Sequence, residues 1–137
     1  EIKSKTAEKI EDIFKQYSDE CIHNSDAINC MIAGWGATQL TARILDDSKE
    51  NFVEGMEYLK IACNMGNYRA CADHGYILEK SSKYIDYEAS YRLHLDSCKN
   101  GSMWACSRMG WLYDRGHHVT KDLTISRQYL NFACEGD

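Results

Sequence analysis

The cysteines offer the most chemistry in this 137-residue chain, because a thiolate can bind a metal, exchange disulfides or attack an electrophile. Seven occur, at 21, 30, 63, 71, 98, 106 and 134, so six group as pairs nine, eight and eight residues apart and one stands alone. Zinc ligands usually lie about two to five residues apart, since a single turn must aim two sulfurs at one ion. No Cys-x-x-Cys occurs, which argues against a zinc site and against a thiol–disulfide exchange enzyme together. The regular pairing points to structural disulfides formed in an oxidising compartment. Buried reduced cysteines in a cytosolic protein are the alternative.

Other candidate chemistry is sparse. Acylation by β-lactams uses Ser-x-x-Lys, with lysine one helical turn from the nucleophile, and a Lys-Thr-Gly strand. Neither is present, and the nearest spacing, Thr6-x-x-Lys9, lies in a polar stretch that reads as a solvated helix face. The histidines are at 23, 74, 94, 117 and 118. The adjacent pair His117–His118 reads as a solvated linker, and His74 and His94 as half-buried or exposed helix residues. A glycine-rich phosphate loop, a His-Glu-x-x-His helix and a Gly-x-Ser-x-Gly elbow are all missing. No catalytic residue, metal or cofactor is assigned.

The composition fits a folded domain. Hydrophobic residues make up 44% and aromatics 11%, too apolar for a disordered acidic tail. Twenty-one acidic against 16 basic side chains, a net charge of -5, disfavour a nucleic-acid partner. No apolar run approaches the roughly 20 residues of a membrane span.

The elements that position the cysteines repeat. Cys63 to Cys98 is 35 residues, Cys98 to Cys134 is 36 and Cys71 to Cys106 is 35, a period that marks a solenoid. Cys-x-x-x-Gly-aromatic occurs three times, as Cys30/Gly34/Trp35, Cys71/Gly75/Tyr76 and Cys106/Gly110/Trp111. Twelve residues before the first cysteine of a pair stand Asn51, Asp86 and Asp122, predicted helix N-caps. Each unit then reads as two helices: helix A over 52–64, 87–99 and 123–135, helix B over 67–79 and 102–115. Gly66 and Gly101 make the turn between them. A glycine inside helix B costs up to about 1 kcal/mol relative to alanine, so Gly34, Gly75 and Gly110 predict close helix contacts, with Gly55, Ser90 and Ser126 as the small residues of helix A. Trp35, Tyr76 and Trp111 are expected to fill the core.

An antiparallel hairpin brings the end of helix A to the start of helix B, which pairs Cys21–Cys30, Cys63–Cys71 and Cys98–Cys106. By loop entropy each bridge contributes about 2.5 kcal/mol. Cys134 is unpaired, the first cysteine of an incomplete unit whose partner would fall about eight residues on if the period continued; helix 123–135 should then expose an apolar face. The N-terminal part is atypical: an amphipathic helix over 4–21 with Ala7, Ile10, Phe14, Tyr17 and Cys21 on one face, a helix from about 27, and an extension or insertion around 37–49. The chain divides as one solenoid domain, 1–137, with an atypical helix pair at 1–50, repeats at 51–85 and 86–121, and a first helix only at 122–137.

The period near 36, Ala-Cys ahead of Gly-aromatic (Ala70–Cys71, Ala105–Cys106) and the linker Gly116-x-x-Val119-x-x-Asp122 resemble Sel1-like repeats. The cysteines eight residues apart resemble the disulfide-bridged subgroup typified by the Helicobacter cysteine-rich proteins. The resemblance covers 51–137 well and 4–50 more loosely. It implies an all-α, right-handed solenoid of antiparallel helix pairs, exported in bacteria, periplasmic or secreted, that binds a protein or peptide on its concave face. Members of the family act as adaptors, secretion-associated factors and immunity proteins. Some cysteine-rich members are penicillin-binding with weak β-lactamase activity, which makes an enzyme the alternative to a non-catalytic scaffold.

Residues that vary between equivalent positions suggest a contact surface. Two before the second cysteine stand Ile28, Arg69 and Trp104; seven before the first stand Met56, Tyr91 and Arg127. Such mixtures are expected at partly exposed sites. With the neighbouring Tyr84 and Tyr87, the candidate partner-binding residues are Trp104, Arg69, Tyr84, Tyr87, Tyr91 and Arg127, because tryptophan, tyrosine and arginine dominate interfaces. The disulfide reading predicts about one titratable thiol in the unreduced, denatured protein, measurable with a thiol reagent; seven would establish the reduced cytosolic alternative.

Overall fold

The computed structural model describes the backbone of residues 2–40 and 50–135. Among these residues seven α-helices follow in order: α1 (Ile2–Asn24), α2 (Ala27–Trp35), α3 (Glu50–Asn64), α4 (Tyr68–Lys80), α5 (Tyr87–Lys99), α6 (Met103–Arg115) and α7 (Leu123–Glu135). Among the described residues there is no strand. Each helix packs on the next, and α2, α4 and α6 also touch in succession, so the second helices of the units form one row.

Local chemistry sets the boundaries. Asp26, Asn67, Asp86 and Ser102 adopt extended backbone ahead of their helices and accept a hydrogen bond from an N–H of the first turn. Asp122 accepts from the Thr124 and Ile125 amides at 2.9 and 3.0 Å. Asn51, expected as a cap, instead lies inside α3, which begins one residue earlier at Glu50; its side chain is outside the described residues. The turns within both full units use the same device: Gly66 and Gly101 take φ of 89° and 95°, open to glycine at little cost. The next amide then reaches back, Asn67 to Ala62 at 3.0 Å and Ser102 to Ser97 at 2.9 Å.

The three disulfides close these turns. Cys21–Cys30, Cys63–Cys71 and Cys98–Cys106 each hold their α-carbons 4.7 Å apart. Cys134 on α7 is free and exposed. Leu123, Leu130 and Phe132 of the same helix are also exposed, so α7 does present apolar surface.

Between units the contact is a seam of small residues. A Cβ added to Gly34 would lie 2.7 Å from the Gly55 carbonyl oxygen, so α2 and α3 touch backbone to backbone. At the later junctions serine replaces that glycine: Ser90 Oγ donates to the Gly75 carbonyl at 2.8 Å, and Ser126 Oγ to the Gly110 carbonyl at 2.7 Å. The residue that covers each glycine is also periodic, Leu59 over Gly34, His94 over Gly75 and Leu130 over Gly110.

The apolar core divides in two. Phe52, Met56, Leu59 and Ile77 form one cluster with Cys21 and Cys30, and Met109, Leu112 and Ala133 form another with Cys98 and Cys106. Met56 is only 6% exposed, which corrects the expectation that its position faces solvent: in α3 that position turns into the first cluster. In the N-terminal unit the helix continues past Trp35 as a π-helical stretch, Gly36–Leu40, and buries Thr38 against Gly55. Residues 41–49, part of the expected insertion, lie outside the described residues.

The seam is tight enough to override helix propensity. Gly34→Ala gains up to about 1 kcal/mol of propensity but forces overpacking worth about 1–3 kcal/mol. Urea denaturation should therefore show a net loss of up to about 2 kcal/mol; a raised midpoint would show that the two helices can part without cost.

Candidate functional site

The row of second helices carries the groups that sequence had scattered. Trp35 and Tyr76 do not fill the core: Trp35 is 38% exposed and Tyr76 is half-buried, whereas Trp111, also half-buried, packs against the second core cluster as expected. Following the seam glycine by one residue, each turns about 100° away from the packed face and emerges beside the junction rather than in it. There the rings meet cations. The Arg69 guanidinium lies 5.0 Å from the centre of the Trp104 ring, and Arg108 lies 5.1 Å from Tyr76, 5.8 Å from Trp104 and 4.5 Å from Trp111. Lys80 Nζ sits 4.5 Å from the Trp111 ring and Arg115 lies 5.9 Å from it. Tyr76 and Trp104 are themselves 6.1 Å apart. Arg69 and Trp104, singled out from sequence, thus belong to one continuous strip of alternating rings and cations.

A buried carboxylate holds the strip in place. Glu79 on α4 is buried; its Oε1 lies 2.6 Å from His94 Nε2 on α5 and its Oε2 2.5 Å from Arg108 Nη2 on α6. Burial would push the Glu79 carboxyl up, but the hydrogen bonds from His94 and Arg108 and their charges outweigh it and hold it below the usual carboxylate range. Asp73, six residues earlier on the same helix, shows the opposite balance: burial raises it although Arg69 donates to it at 3.1 Å. His94 is fully buried, against the sequence expectation of a half-buried or exposed residue, because Glu79 supplies the partner that an apolar junction would lack.

Three open grooves run along this face. One, about 380 Å³, lies between α2 and α4 beside Ile32, Trp35 and Arg69. The next, about 470 Å³, is bounded by Tyr68, Arg69 and Trp104, and the last, about 300 Å³, by Trp104, Ser107 and Leu130. Arg69 and Trp104 each border two of them, so the grooves adjoin.

The remaining candidates lie elsewhere. Tyr84 stacks on Phe52 with ring centres 6.0 Å apart, at the edge of the first core cluster. Tyr87 and Tyr91 face the linker after α6. His117 packs edge-on to Tyr87 at 4.4 Å, and His118 lies 6.0 Å from Tyr91 while its Nε2 lies 3.0 Å from Glu88 Oε2. His117 is therefore half-buried against α5, a correction to the solvated linker expected, and Tyr87 is the reason, whereas His118 touches the same helix but stays exposed. Tyr91 also hydrogen-bonds Tyr113 at 3.1 Å; that bond, with partial burial, pushes its hydroxyl up to about 12. Arg127 is exposed on α7. The six residues thus do not form one patch: Arg69 and Trp104 share the strip, Tyr87 and Tyr91 share the histidine cluster, and Tyr84 and Arg127 belong to neither.

Glu79, His94 and Arg108 were missed by sequence reasoning, yet a signal existed. The position of His94 is leucine in the neighbouring units, at Leu59 and Leu130. An imidazole where the preceding repeat buries Leu59 implies a buried polar partner. Among the described residues no cluster of His, Cys, Asp or Glu has the arrangement of a metal site. Thr6 of the Thr6-x-x-Lys9 spacing has its side chain outside the described residues, and Lys9 is exposed.

The fold is that of Sel1 repeat proteins. The crystal structure of a Sel1 repeat protein from Oxalobacter formigenes matches with a TM-score of 0.73 at 18% sequence identity, covering 93% of this chain and 50% of that chain. This chain therefore spans half the length of that neighbour. No family model matches the sequence, and no curated protein matches it. No helix among the described residues is long and apolar enough to cross a membrane, and the three disulfides belong to an oxidising environment.

His74 gives the pH dependence a sign. It is half-buried on α4, and burial, helped by the charge of Lys60 and opposed by Glu57, lowers it from 6.5 to about 4. The unfolded chain therefore takes up the proton first, so this contribution to stability is present above pH 6.5 and is lost as pH falls toward 4. His74→Gln removes it. The stability of the wild type relative to that variant should decline through this window in urea titrations; a constant difference would show that His74 titrates alike in both states.

Proposed function

We propose that the chain is a partner-binding repeat scaffold of the disulfide-bridged Sel1-like type, and that its partner lies along the row formed by α2, α4 and α6. One observation carries the reading: two residues chosen from sequence for their variability, Arg69 and Trp104, stand in contact at the shared edge of adjoining grooves. Interfaces concentrate their energy in tryptophan and arginine set in such depressions. We infer that this row, whose helices touch in succession, is the concave, ligand-bearing side. The staples support work in an oxidising compartment, most simply the bacterial periplasm or the exterior after export. Within that setting the role is immunity against, or assistance to, a secreted effector, since the resemblance supplies members of that kind and the site offers contact surface.

The reading is tested by trapping the partner in its native source with a photo-crosslinker placed at Ser107, beside Trp104, and then measuring affinity for the purified partner. Trp104→Ala should weaken binding by about tenfold or more, or about 1.4 kcal/mol and upward. Unchanged affinity in a variant with intact helical circular dichroism would remove this face as the binding site.

A further inference from the structure

The strip concentrates positive charge on an acidic protein. The chain carries a net charge of -5, yet Arg69, Lys80, Arg108 and Arg115 gather around three rings. Their local compensation is partial. Arg69 gives its Nε to Asp73, Arg108 gives one terminal nitrogen to Glu79, and Arg115 lies 3.5 Å from Asp114. Lys80 has no ion pair among the described residues, and Arg108 Nε, though buried, has no hydrogen-bond partner there. Stacking on the rings fixes the cations in advance, so an incoming anion finds donors already ordered, and a guanidinium fork suits a carboxylate in particular.

Between the cations the surface is apolar and indented, beside Ile32 and Trp35 at one end and Trp104 and Leu130 at the other. Alternation of fixed cations with apolar depressions matches a chain that alternates carboxylates with apolar side chains. A nucleic acid, the other anionic polymer that stacks on rings, fits less well. Its backbone carries a phosphate at every step and no aliphatic side chains, so the depressions beside Ile32 and Leu130 would be left unfilled.

We propose that the strip binds an acidic, extended polypeptide segment, its carboxylates paired with the exposed Arg69 and Lys80 and its apolar side chains in the grooves beside Trp35 and Trp104. This rests on the partner-binding reading and gives the partner its chemistry.

A random dodecapeptide library displayed on phage, selected on the oxidised protein and counter-selected on Trp104→Ala, tests it. Selected sequences should be enriched in Asp and Glu. The strongest of them, synthesised and labelled, should bind about tenfold more weakly once its acidic residues are changed to Gln, a difference of about 1.4 kcal/mol. Binding should also weaken with added salt and with Lys80→Gln, an exposed side chain that the fold does not need. Neutral or basic sequences that still depend on Trp104 would overturn the acidic assignment and leave the partner-binding face standing. Sequences indifferent to Trp104, or no enrichment, would overturn both. Stronger binding of a single-stranded oligonucleotide, abolished by the same variants, would overturn the peptide in favour of nucleic acid.

Discussion

Glu79 is the side chain on which the rest of the molecule turns. A buried carboxylate is tolerated only where several donors converge on it, and here they come from different helices, His94 from α5 and Arg108 from α6, with Glu79 itself on α4. The three helices are thereby fixed in register by a directional interaction where the two apolar clusters give way to one another. Arg108 faces inward to this carboxylate and outward to Tyr76, Trp104 and Trp111. The orientation of the surface rings is thus tied to a charge in the interior, and the network has value only when every member is present.

Around that point the repeats solve a common packing problem in slightly different ways. Glycine on the second helix lets the next unit approach, a small residue on the incoming helix accepts the approach, and a larger residue caps the glycine. Where the small residue is serine, its hydroxyl bonds the glycine carbonyl and turns a steric fit into a directional one. Where the capping residue is histidine rather than leucine, the junction becomes polar and calls for Glu79. A single exchange within the period thus converts an ordinary apolar joint into the one that organises the surface.

Much of this was legible in the residues. The period, the turn glycines, the caps at Asp86 and Asp122 and the seam of Gly34, Gly75 and Gly110 depend on local geometry, which sequence spacing encodes directly. What escaped depends on neighbours. Trp35 and Tyr76 share a recurring position with Trp111, which does pack on the second cluster, but recurrence marks a position in the unit and not how deeply it is covered. Met56 varied between units and so looked exposed, although in α3 that position closes a core that the later units build differently. Glu79, His94 and Arg108 lie in three helices at non-equivalent positions, so no single repeat unit contains them. The pairing of Arg69 with Trp104 spans two units and became visible only when the second helices were seen side by side.

Each covalent link in the molecule is local. The bridges join cysteines eight or nine residues apart, across one turn, and none crosses from unit to unit. Short loops close fastest, so during oxidation the nearest thiol in sequence is also the correct one, and mispairing between units must compete against a quicker local event. The chain can therefore sort its own disulfides as it emerges, hairpin by hairpin, before the stack assembles. Once oxidised, the units remain joined to one another by packing and peptide chain alone, like clipped pages in an unbound book, free to be multiplied or exchanged in evolution without rewiring a single sulfur bond.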